Sequence, residues 1–135
     1  MKSRKLKAFA IYHLPAILYA TLIISLSSIS NLHLPRFKHF EFDKVVHFIE
    51  YAIFAALVFR SFSHLSPRFR PRTVLLLSLF FMIVFAAGDE SFQRLIPGRQ
   101  PDTMDFISDV LGALIILLFL WWRKKGRPAD AVANP

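Results

Sequence analysis

The chain contains no cysteine, which excludes disulfides, thiolate metal sites and a cysteine nucleophile. Charge is scarce as well: Asp, Glu, Lys and Arg make up 19% of residues, below the ~25% of ordinary soluble domains. Glycine occurs only four times in 135 residues. No glycine-rich phosphate loop, HExxH zinc helix or GxSxG elbow is present. What fills the chain is apolar: 55% hydrophobic residues, fifteen of them Phe, and a mean hydropathy of +0.46. Such richness argues against disorder, which needs low hydrophobicity. The length predicts a single domain.

Crossing a hydrocarbon core takes roughly 20 apolar residues of helix. Four stretches approach that length, at about 8–28, 45–62, 73–95 and 106–122. They are long and lack period-2 alternation, so helices are expected rather than strands. The segments between them carry Pro35, Pro67, Pro71 and Pro97-Gly98, residues that punctuate helices. The expectation is an all-α polytopic membrane protein. A single four-helix transmembrane domain would occupy residues 1–125 as a compact bundle, followed by a disordered cytoplasmic tail at 126–135. A cleavable signal peptide is the competing reading of the first stretch, given its basic start and Ser-rich end. Its apolar run exceeds the ~7–15 residues of a signal core, which favours a retained helix.

The basic residues alternate by side. Twelve of the 17 fall at the N-terminus (Lys2, Arg4, Lys5, Lys7), the second connection (Arg60, Arg68, Arg70, Arg72) and the C-terminus (Arg123, Lys124, Lys125, Arg127). The other side holds Arg36, Lys38, Lys44, Arg94 and Arg99. The positive-inside rule then predicts both termini in the cytoplasm, N-in/C-in, in a bacterial inner membrane. Trp121-Trp122 before Arg123 reads as an interfacial anchor on that face. The net charge of +8 is therefore topogenic. No nucleic-acid partner is expected, because such binders gather charge on one soluble face.

Eight of the nine acidic residues lie on the predicted outer side: Glu41, Asp43, Glu50, Asp89, Glu90, Asp102, Asp105 and Asp109. Ionisable groups within spans are expensive and normally face a protein interior or a wet cavity. At 100° per residue, Asp43, His47, Glu50 and Tyr51 share an arc of the second span. Asp89 and Gln93 share one in the third with Glu90 at its flank, and Asp105, Asp109 and Gly112 share one in the fourth. Three polar stripes at one end predict a shallow polar pocket below the outer headgroups. The plainer reading is a structural network of interhelical hydrogen bonds, with Asp43 and Asp105 as helix caps. Elsewhere, Gly112 and Ala113 read as close-packing positions, His13 as interfacial, and Arg94 as an i, i+4 partner of Glu90.

These polar residues form three ordered elements: Asp43-Lys44-x-x-His47-Phe48-x-x-Tyr51, then Asp89-Glu90-x-x-Gln93 followed by Pro97-Gly98-Arg99, then Asp105-x-x-x-Asp109-x-x-Gly112. In this the chain resembles the VanZ-like family of membrane proteins. The resemblance covers residues 43–112 and implies a small multi-span membrane protein. The family's founding association is with low-level resistance to the glycopeptide antibiotic teicoplanin.

Three function classes follow from the residues. In the first, the pocket binds an envelope lipid, sugar or peptide headgroup, with an envelope lipid or cell-wall precursor as the partner. Its site is Asp43, Lys44, His47, Tyr51, Asp89, Glu90, Gln93, Arg99, Asp105 and Asp109, with Lys44 and Arg99 as anion-binding donors. In the second, an intramembrane enzyme acts on a lipid-linked substrate, with Glu90, His47 or Asp89 as the catalytic candidates. A metal variant of that reading would use His47, Asp89, Glu90 and Asp109; neither a metal nor another cofactor is expected. The third class, transport, needs midplane charges, whereas the span centres are apolar. Membrane lipids are the expected surroundings, and an oligomer is compatible with the sequence.

Overall fold

A computed structural model describes residues 2–29, 42–66, 68–98 and 102–125. It contains five helices: α1 (Lys2–Tyr12), α2 (Leu14–Ser27), α3 (Phe42–Ser63), α4 (Pro71–Gln93) and α5 (Thr103–Lys125). The fold is all-α. Helices α3, α4 and α5 are each long and apolar enough to cross a membrane, and α1 with α2 makes a fourth span if the bent pair is counted as one. Arg99 and the tail at 126–135 lie outside the described residues, as does Glu41.

The first span, expected as one helix over 8–28, is broken. Helices α1 and α2 meet at His13 with a 43° bend. Pro15 is the physical cause, since it lacks the N–H owed to residue 11 and its ring crowds that carbonyl. The break is pinned to the rest of the molecule: His13 Nδ1 lies 2.7 Å from Ser61 Oγ of α3. One turn away the Tyr12 and His64 rings stack with centroids 3.6 Å apart. His13, expected at the interface, is thus a link between α1/α2 and α3.

Proline and aspartate set the other boundaries. Pro71 opens α4 in the first turn, where a missing N–H costs nothing. Beyond α4 the chain turns through Gly98, whose φ of 83° suits glycine. Helix α5 begins under Asp102, whose Oδ1 accepts the Met104 N–H at 2.9 Å. The cap is therefore Asp102 rather than Asp105, which sits in the first turn.

Helix α3 packs most extensively on α5, with α4 against both. The core between them is Tyr51, Phe54, Ala55, Val58 and Phe59 of α3, Val74, Met82 and Ala86 of α4, and Ala113 and Leu117 of α5, with Ile23 added by α2. Helices in lipid gain little from hydrophobic burial against one another, so small residues that permit close approach carry the packing. At Gly112 the helices approach closely: a Cβ there would overlap the Phe48 carbonyl of α3. Large side chains such as Phe80 and Leu76 point outward, as lipid-facing residues do. This packing brings the start of α3, the ends of α2 and α4 and the start of α5 to one end of the bundle.

Candidate functional site

At that end two polar clusters meet. The first lies between α3 and α5. Lys44 Nζ forms ion pairs with Asp102 Oδ2 and, at 2.6 Å, with Asp105 Oδ1. One turn deeper, His47 Nδ1 lies 3.0 Å from Asp109 Oδ1, and its Nε2 lies 3.9 Å from Asp105 Oδ2. Lys44 and His47 reach α5 together because residues three apart share a helix face. Asp105 and Asp109, four apart, present the matching face of α5. Their carboxylates are buried, and buried charges persist only when paired.

The second cluster lies between α2, α3 and α4. Asp89 Oδ2 accepts from Ser27 Oγ at 3.0 Å, Gln93 Nε2 at 3.1 Å and Tyr51 OH at 3.3 Å. Gln93 Nε2 also reaches Ser27 Oγ at 3.3 Å. Three donors on one oxygen hold the Asp89 carboxylate in a fixed orientation. Its other oxygen, Oδ1, is buried and has no hydrogen-bond partner among the described residues. The same is true of Glu90 Oε1. Arg94 lines the cleft beside Glu90, yet supplies no hydrogen bond to that oxygen. A buried acceptor left bare costs about 1–3 kcal/mol, more when charged, so two on adjacent residues need a reason.

The residue that carries each bare oxygen lines a cleft. The Asp89 cleft, about 290 Å³, lies between α2 and α4 and is walled by Ile24, Phe85, Gly88 and Phe92. The Glu90 cleft, about 230 Å³, lies between α4 and α5 and is lined by Ala87, Ser91, Arg94, Thr103 and Phe106. Both approach the lower bound of ligand pockets, about 300 Å³. The two differ in chemistry, the first being apolar around one carboxylate and the second mixed.

Of the residues singled out from the sequence, Lys44, His47, Asp105 and Asp109 come together in the first cluster and Tyr51, Asp89 and Gln93 in the second. Glu90 borders the second cleft. Asp43 joins His47 and Asp105 in a set whose ligand atoms lie within 4.8 Å of one another, a spacing that can hold a metal ion. That set differs from His47, Asp89, Glu90 and Asp109, the four considered from the sequence. Lys44 already places a cation on Asp105 there. Two participants were missed. Asp102 is expected only among the acidic residues of the outer side, and Ser27 only within the Ser-rich end of the first stretch. Ser25, Ser28 and Ser30 share its polarity, so composition alone does not single out Ser27.

The interlocked elements 43–51, 89–93 and 105–112 are the same three that carry the resemblance described above. A family model, VanZ/LLP1, matches residues 4–124. The chain belongs to the VanZ/LLP1 family. The match spans all but the first residues of α1 and the last of α5, so the α1/α2 bend and the second cluster's Ser27 lie within the family's extent. No curated protein and no solved structure matches the chain. As a VanZ-like protein it is an integral membrane protein, and its polar clusters are built where three membrane-length helices meet.

Proposed function

We propose that this VanZ/LLP1 protein binds an envelope lipid, sugar or peptide headgroup, such as that of a cell-wall precursor, at the end of the bundle formed by 43–51, 89–94 and 102–109. The observation that carries the reading is Glu90. Its Oε1 is buried without a partner among the described residues, and Glu90 lines a cleft together with Ser91, Arg94 and Thr103. A hydroxyl or amine on the ligand satisfies Glu90, and an anionic group satisfies Arg94. Lys44 acts differently in this reading. Its ammonium is engaged by Asp102 and Asp105, so it organises α3 against α5 rather than meeting an incoming anion directly.

The charge distribution supports placing this site on the outer side of the cytoplasmic membrane, since the basic residues concentrate at the opposite end. With no cysteine in the sequence, single introduced cysteines report the orientation. Leu95→Cys, beside the site, should react with an impermeant maleimide in intact cells, and Leu65→Cys only after lysis. In purified protein, an envelope lipid extract should raise the unfolding temperature of the parent and not that of Glu90→Gln. Reversed labelling overturns the orientation; equal shifts in both proteins overturn the site.

One observation favours a second reading. His47 is oriented through Nδ1 by a buried carboxylate, the arrangement that prepares an imidazole for proton transfer. An enzyme acting on a lipid-linked substrate, with His47 or Glu90 as acid/base, would show conversion of the bound molecule over time.

A further inference from the structure

Gly88 and Gly112 occupy helix interiors for opposite reasons. At Gly112 an added Cβ would strike the backbone of α3; at Gly88 it would meet nothing within 4 Å. Packing of the protein on itself therefore explains Gly112 and leaves Gly88 unexplained. Gly88 forms part of the α2–α4 cleft, with Ile24, Phe85 and Phe92 as apolar walls. At about 290 Å³ the space exceeds a single water several-fold, since liquid water takes about 30 Å³ per molecule. Its polar border is Asp89, only 5% exposed. One Asp89 oxygen is saturated by Ser27, Tyr51 and Gln93 while the other is buried and bare among the described residues.

Apolar walls beside a residue that keeps one unpaired acceptor just beneath them match one ligand chemistry, a hydrocarbon chain that carries a hydrogen-bond donor at its polar end. We propose that the α2–α4 cleft seats a chain of the same envelope amphiphile whose headgroup lies at Glu90, with a hydroxyl or amide N–H of that molecule donating to Asp89 Oδ1. The inference rests on the headgroup reading above and adds the substrate class: a lipid with a donor at the junction of chain and headgroup. Asp89 and Glu90, adjacent on α4, stand about 100° apart around the helix axis. They thus divide the ligand between two clefts on either side of α4. An ordinary membrane lipid chain fills the apolar part equally well but leaves Asp89 bare unless it brings the donor. The carboxylate is accordingly the element of selection.

The test uses the full chain in lipid discs with two probes, dodecanol and its methyl ether, which share the chain and differ in the donor. Gly88→Phe is the blocking variant. It enters open space and replaces a poor helix former, so it is expected to fold; thermal unfolding checks this. The parent should retain dodecanol at least about tenfold better than the ether, the scale of losing one hydrogen bond to a charged group. Gly88→Phe should lose that retention with an unchanged or raised unfolding temperature. Asp89→Asn should lower the alcohol-to-ether preference towards one, which a merely structural Asp89 would not do. Equal retention of both probes by the parent, or retention of the alcohol by a folded Gly88→Phe protein, overturns the proposal. Either result leaves the headgroup reading intact if envelope extract still stabilises the parent and not Glu90→Gln. If the extract stabilises neither, the headgroup reading fails, whatever the probes show.

Discussion

Asp102 carries two roles on one exposed carboxylate. Oδ1 caps α5 through the Met104 N–H, and Oδ2 pairs with Lys44. The Lys44 ammonium and the capping N–H hold its carboxyl below the usual carboxylate range. A depressed folded-state pKa contributes stability that is complete above the unfolded value, ~3.9. That contribution is lost as pH falls through the folded value. Asp102→Asn keeps a capping side chain and removes the charge. The parent should therefore lose thermal stability more steeply than the variant below about pH 4. At neutral pH the variant should be weaker by less than about 1 kcal/mol, because the pair is solvent-screened. Superimposable melting profiles from neutral to acid pH would contradict this. At this scale the sequence was readable by type and less so by partner. The stripes of Asp43, His47 and Tyr51, and of Asp105 and Asp109, follow from helical spacing alone. Which aspartate caps α5 depends on where the first turn begins, and the choice of Ser27 as a partner for Asp89 depends on packing between residues 62 apart.

Helices are the units that the apolar runs announce, and α3, α4 and α5 begin and end within a few residues of the runs at 45–62, 73–95 and 106–122. The exception is the first. Pro15 was visible in the sequence, but a proline in a span bends it or leaves it straight according to what its neighbours offer. Here Ser61 and His64 of α3 receive the broken turn. The glycines give a sharper test of the packing. Gly112→Ala forces α3 and α5 apart at Phe48 and should lower stability by about 1–3 kcal/mol, as overpacking does. Gly88→Ala should be neutral or stabilising by up to about 1 kcal/mol, the helix-propensity gain. Unfolding of both purified variants in mixed micelles measures the contrast. Equal effects at the two positions would mean that α3 and α5 do not touch at Gly112.

Over the whole molecule, polar chemistry is sorted by end. Carboxylates with Lys44 and His47 gather where α3 and α5 begin. Arg60 lies over the Tyr12 ring and Lys124 over Phe59 at the other end. Between them the core is Ala55, Val58, Val74, Met82 and Leu117, with Ser78 buried among them. This sorting was legible from the order of charges along the chain. The two clefts and their bare oxygens were not, because they arise from how α2, α4 and α5 lean on one another. The proposed ligand satisfies both oxygens. Native mass spectrometry of the parent and Glu90→Gln, released from discs of native lipid, shows whether one is held there. One envelope amphiphile should be retained by the parent and lost from an equally stable variant. The same nonspecific lipids on both proteins would contradict it, and a large loss of stability in Glu90→Gln with unchanged lipids would reduce the clusters to a structural network.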